Sequence, residues 1–99
     1  MRPVTLADLE VAVRAIVRHP QEDREAFAVK LLGDAAIADS FRAKTGKLHP
    51  SFGAGTLMSA AMQHPLAARP EWAKPETLAA LGFVLKGLDA KYGQSQNVK

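Results

Sequence analysis

Along the last third of this chain large apolar residues recur at intervals of three and four, at Leu78, Leu81, Leu85, Leu88 and Tyr92. That alternation stacks side chains on one face of an α-helix, and it fits no strand, whose faces repeat every two residues. Pro75 suits the first helical position, Glu76 complements the positive end of the helix dipole, and Gly93 stands where a C-terminal cap is expected. Phe83 and Val84 add a second apolar flank. The leucine side of this helix is either central to a core or shared with a partner.

The rest of the chain reads in the same way. Thr5 followed by Asp8 has the layout of a capping box, with Val4 and Leu9 placed for a hydrophobic staple. A first helix is predicted from Leu6, with Leu6, Leu9, Val13, Ile16 and Val17 on its apolar side and an end near His19-Pro20. Pro20 and the acids Glu22, Asp23 and Glu25 suit the first turn of a second, long helix, whose stripe is Phe27, Leu31, Ala35, Ala38 and Phe41. Gly33 is a point for a break or a close crossing, and Lys44 and Gly46 mark the end. Residues 47–55 read as a loop, Thr56 to Gln63 as a short helix closed by His64-Pro65, and Leu66 to Lys74 as a proline-stiffened connection that folds Trp72 back on the core.

These elements predict an all-α fold, an irregular bundle of about four helices around a Gly- and Pro-containing central loop. Leu9, Val13, Phe27, Leu31, Phe41, Leu81, Leu85 and Leu88 are its expected interior. Composition agrees: 47% of the residues are hydrophobic, but Ala and Leu dominate over the β-formers Ile, Val and the aromatics. The 99 residues fit one domain, taken as 1–93, with a disordered tail at 94–99. A chain this short buries only about two-thirds of its unfolded surface, which makes association with a partner a natural source of stability.

No cysteine is present, which excludes disulfides, thiolate zinc sites and thiol nucleophiles. Met1 to Leu9 lacks the pattern of a secretory leader, and no apolar run approaches about 18 residues, so a cytoplasmic chain without a membrane span is expected. The net charge is +3, and it is unevenly spread. Between Ser40 and Pro70 there is no acid, only Arg42, Lys44, Lys47 and Arg69. With His49, Gly53 and Gly55 these are the candidate contacts for an anion or a nucleic acid, the glycines allowing close backbone approach. The bland alternative is a solvated loop with a helix cap, since neither nucleotide-binding glycine fingerprint is met.

Three histidines, His19, His49 and His64, each precede a proline. None pairs with another at the i, i+4 spacing of a helical zinc site, so they read as punctuation between elements, and the sequence calls for no cofactor. Ser51 and Ser59 lack a nucleophile elbow, and the chain reads as a non-enzyme. Met58, Met62, Trp72, Phe83, Leu88 and Tyr92 are the candidate interface, although Met and Leu at helical spacing equally make a core. Two functions follow: a protein-interaction or regulatory module, with a protein partner or as a homodimer, or a small regulatory or phage-derived nucleic-acid-associated protein using the basic loop.

The opening Met1-Arg2-Pro3-Val4-Thr5-Leu6-Ala7-Asp8-Leu9 and the pattern Arg42-x-x-Thr45-Gly46-x-x-His49-Pro50-x-x-Gly53-x-Gly55-Thr56-Leu57-Met58-x-Ala60-Ala61 resemble a family of short uncharacterised alphaproteobacterial helical proteins, a domain of unknown function. The resemblance spans nearly the whole chain. It implies a compact helical domain and transfers no activity to any residue.

Overall fold

The computed structural model describes residues 1–96, and its order is α1 (Leu6–Ile16), a 3-10 turn (Gln21–Asp23), α2 (Arg24–Thr45), α3 (Leu57–Ala61) and α4 (Pro75–Gln96). Among the described residues there is no strand, and the sole β feature is one isolated bridge between His49 and Gly53. The expected all-α bundle is the fold found.

Thr5 starts α1 as the sequence predicts. Its hydroxyl accepts from the Asp8 N–H at 3.2 Å, and the Asp8 carboxylate accepts from the Thr5 N–H at 2.7 Å, closing a reciprocal capping box. Asp8 does more than cap its own helix. It is 4% exposed, and its second oxygen accepts from the Met58 N–H at 2.8 Å, in the first turn of α3. At that same turn the Thr56 hydroxyl accepts from the Ser59 N–H at 3.0 Å. Two of the orphan donors of a five-residue helix are thereby satisfied, one from within and one from α1.

The other end of α1 is held from outside as well. The Arg24 guanidinium donates to the carbonyls of His19 at 2.9 Å and Val17 at 3.1 Å, where a cation also suits the helix dipole. The long helix begins at Arg24, after the 3-10 turn, and runs unbroken through Gly33 to the left-handed Gly46, whose φ is +72°. The Gly46 N–H donates to the Arg42 carbonyl at 2.8 Å, completing the predicted stop.

Both α1 and α2 pack against α3 on one side and α4 on the other. Ile16, Leu31, Leu57, Val13 and Val84 are the largest fully buried side chains. Phe27 is buried as expected, whereas Leu9, Leu81 and Leu88 are half-buried against the core and Phe41 is half-buried above the central loop. Leu85 corrects the expected interior, since it is 48% exposed. On α4 the buried positions are Thr77, Ala80 and Val84, with Gly87 so close to the Leu32 side chain that a methyl group there would collide with it. Small residues face α1 and α2 because helix axes approach closely only where side chains are short. The leucines therefore fall on the flank.

The end of α4 is also corrected. Gly93 lacks the positive φ of a terminating glycine, and the helix continues to Gln96, so residues 94–96 of the expected disordered tail form helical backbone. The remainder of that tail, 97–99, lies outside the described residues.

Replacing Asp8 removes the α1 cap and strands the Met58 amide. We expect Asp8→Ala to lower the stability of the fold by about 2–4 kcal/mol, read as a lower urea midpoint at an unchanged slope.

Candidate functional site

The central loop spends its polar groups on itself. The His49 Nδ1 accepts from the N–H groups of Ser51 at 3.0 Å and Phe52 at 3.1 Å, which assigns the ring proton to Nε2 in the neutral form. The ring stacks on Phe52 with centroids 4.7 Å apart and meets Phe41 edge-on at 5.1 Å. Gly53 and Gly55 adopt φ of +87° and +94°. A methyl group on Gly53 would stand 2.9 Å from the Ser59 Cβ, and one on Gly55 would stand 2.7 Å from the Asp39 Cα, so both glycines serve close packing. The Gly53 N–H donates to the His49 carbonyl at 3.2 Å and the Ala54 N–H to the Ser59 hydroxyl at 3.0 Å. With the Met58 and Ser59 amides held by Asp8 and Thr56, four backbone donors of this turn and helix start are engaged within the protein.

The candidate cations separate. Arg42 donates to the Ala54 carbonyl at 3.3 Å and so braces the loop. Lys44 and Lys47 are exposed beside the C-terminal end of α2. Arg69 lies elsewhere, lining a cleft with Val17, Glu71, Lys74 and Glu76. Glu76 is 3.8 Å from Arg24 at the start of α2, and Arg42 is 18 residues further along that helix, about 27 Å at 1.5 Å per residue. The structure thus leaves Lys44 and Lys47 together, gives Arg42 an internal partner, and carries Arg69 to the far end.

The other two histidines share one phenylalanine. Phe27 stacks on His19 at 3.8 Å and meets His64 edge-on at 4.9 Å. Among the described residues, no three His, Asp or Glu side chains come together as a metal ion would need. Asp34, buried on the same side of α2, accepts from Lys30 at 2.6 Å.

The apolar candidates fall on three sides. Met58 is half-buried against the core and Met62 is exposed at the end of α3. Phe83 is half-buried on the α2 side of α4, in a cleft with Arg24 and Ala79. Trp72, Leu88 and Tyr92 share the remaining side. One shallow cleft there is lined by Leu6, Leu9, Glu10, Trp72 and Leu81, and a second by Met1, Pro3, Val4, Leu88 and Tyr92. The two lie along α4 two turns apart, since Leu81 and Leu88 differ by seven residues. Beside them Leu78, Leu85 and Tyr92 form an open row, 51%, 48% and 43% exposed, with Trp72 at 42% and Leu6 at 84%. Sequence reasoning missed Leu6, Leu78 and Leu85 as surface residues. Their only mark in the sequence is the seven-residue interval between Leu78, Leu85 and Tyr92, which a core helix shows equally.

The fold and this surface define a class: a small all-α bundle with two long helices, a short internally capped one, and two shallow apolar clefts beside the last. The chain belongs to the family described as a domain of unknown function, DUF7742, which it matches over residues 2–88. No curated protein and no solved structure matches it.

Burial lowers the pKa of His64 below its ordinary 6.5, and the charge of Lys30 adds to the effect, partly opposed by Asp34. The unfolded chain then takes up a proton near pH 6.5 that the folded chain still refuses. His64 therefore leaves stability intact above that pH and lowers it as the pH falls through 6.5 toward the folded pKa. An NMR titration should place the His64 midpoint below 6.5, and the loss of stability as the pH falls below about 6.5 should shrink in His64→Gln.

Proposed function

We propose that this chain is a non-enzymatic interaction module that docks an amphipathic helix of a polypeptide partner along the open side of α4. The carrying observation is the row Leu78, Leu85 and Tyr92, open to solvent beside two shallow clefts, one lined by Leu6, Trp72 and Leu81 and the other by Val4, Leu88 and Tyr92. Anchors at i, i+3, i+4 and i+7 suit recognition of a second helix, and exposed Trp and Tyr beside aliphatic side chains are the residue types that dominate such contacts. Large aliphatic side chains each contribute roughly 1.5–3 kcal/mol when fully buried, so closing a half-open row supplies useful affinity.

A cytoplasmic role fits a cysteine-free chain, and a bacterial origin rests on the pattern from Arg42 to Ala61. Among the described residues no helix is long and apolar enough to cross a membrane. The nucleic-acid reading is the weaker one, because Lys44 and Lys47 are left as its adjacent free-standing contacts.

Trp72 is the sole tryptophan and lines the groove, so its fluorescence reports on docking. At about 0.5 μM protein, a helical peptide with leucines in heptad register should shift Trp72 emission to the blue, and the same peptide with serines at those positions should not. Short duplex DNA at about 50 mM salt should leave the emission unchanged. A response to DNA together with silence toward the leucine peptide would overturn the proposal.

A further inference from the structure

We infer that the helix docked on α4 is the α4 of a second copy of this chain, placed antiparallel about a twofold axis near Leu85. The inference rests on the docking proposal and names its occupant.

Three features of the row favour a second copy. First, Leu78, Leu81, Leu85, Leu88 and Tyr92 occupy the alternating seam positions of a heptad. The molecule's own N-terminal segment and α1 half-cover Leu81 and Leu88 while Leu78, Leu85 and Tyr92 stay open. What is absent is another helix, and a seam of this kind is complementary to itself. Second, the row reads the same in both directions: Leu78 and Tyr92 each lie seven residues from Leu85. An antiparallel twofold at Leu85 brings Leu85 onto its own copy and sets each Leu78 against the other chain's Tyr92, the self-matching required of an isologous interface. Third, Gly82 sits one turn from both Leu78 and Leu85 on this open side, and a methyl group there would meet nothing within 4 Å in its own chain. A helix-interior glycine costs about 1 kcal/mol relative to alanine. Gly82 leaves room for close approach by a second backbone, and the same axis sets it opposite Leu88 of the other copy.

Area and charge agree. Side chains of this size bring roughly 150–250 Å² each, so the five open ones leave on the order of 500 Å² of apolar surface. Pro3, Val4, Leu81 and Leu88 along the same groove bring it toward the about 800 Å² per partner of a stable pair. Lys86, the nearest cation to the axis, is already matched by Glu25 at 2.9 Å, and the axis sets the exposed Asp89 of each copy opposite Leu81 of the other, so the twofold opposes no two like charges.

Light scattering after size exclusion at about 100 μM should give twice the 10.6 kDa monomer mass, falling toward the monomer on dilution. Leu85→Arg should raise the dissociation constant at least tenfold with helical circular dichroism unchanged, because Leu85 lies outside the core. Leu85→Cys introduces the only thiol of the chain, and two such thiols across the axis should oxidise to a covalent dimer, which Ser40→Cys on the exposed face of α2 should not. A monomer at all concentrations whose Trp72 still answers the leucine peptide overturns the self-pairing and leaves the docking proposal standing. A monomer silent to the peptide overturns both. A dimer indifferent to Leu85→Arg, or one that Leu85→Cys does not link, also overturns the inference.

Discussion

The Asp8 carboxylate holds three donors, the Thr5 N–H, the Thr5 hydroxyl and the Met58 N–H, and this single group joins the starts of α1 and α3. A buried carboxylate is tolerable only when its oxygens are satisfied, and here the partners lie at the positive ends of two helices. Without that junction α3 would be held only by the burial of Leu57, Ala60 and Ala61 against α1 and α2. The glycine loop before it, pressed on α2 at Asp39 through Gly55 and on α3 at Ser59 through Gly53, would lose its far anchor. Position 8 therefore fixes how the central loop crosses the bundle and which face of α2 that loop covers.

Small residues govern the other side of the molecule. Ala80, Thr77, Val84 and Gly87 let α4 lie close to its neighbours, and the close fit of Gly87 against Leu32 shows how little room is left. Larger side chains in that layer would push the axes apart. The leucines consequently stand at the edge of the contact, where one half of the seam is shared with α1 and the other half faces outward. The groove is the by-product of close helix packing on one side and an unfilled heptad seam on the other.

Local chemistry made much of this legible from the sequence. The Thr5–Asp8 box, the Gly46 stop, the Pro75 start and the breaks at His19-Pro20 and His64-Pro65 are each decided within a few residues, and each stands where local rules put it. Orientation was not legible. Periodicity says that Leu78, Leu85 and Tyr92 share a side of α4, but the helix has two apolar flanks, and the inward one was chosen by side-chain size rather than by hydrophobicity. Gly93 misled for a related reason: glycine permits a left-handed turn without requiring one. The basic loop misled because charge density in sequence is not proximity in space, with Arg42 turned to Ala54 and Arg69 carried to the opposite end of α2. No pattern in the sequence announced that each histidine would find a phenylalanine, since His19 with Phe27 and His49 with Phe41 are pairings of tertiary structure.

The start of α1 is tied to α3 through Asp8 and the Met58 amide, and its close is held by Arg24. Eleven residues are too few for a helix to persist alone in water, and five are far too few. The two 22-residue helices are long enough to hold some helical structure by themselves, whereas α1 and α3 depend on the rest of the bundle. An opening of α1 would withdraw the Asp8 oxygen from Met58 and leave the first turn of α3 one acceptor short. The two short helices are thus tied to each other by one buried carboxylate as well as to the core by their apolar faces.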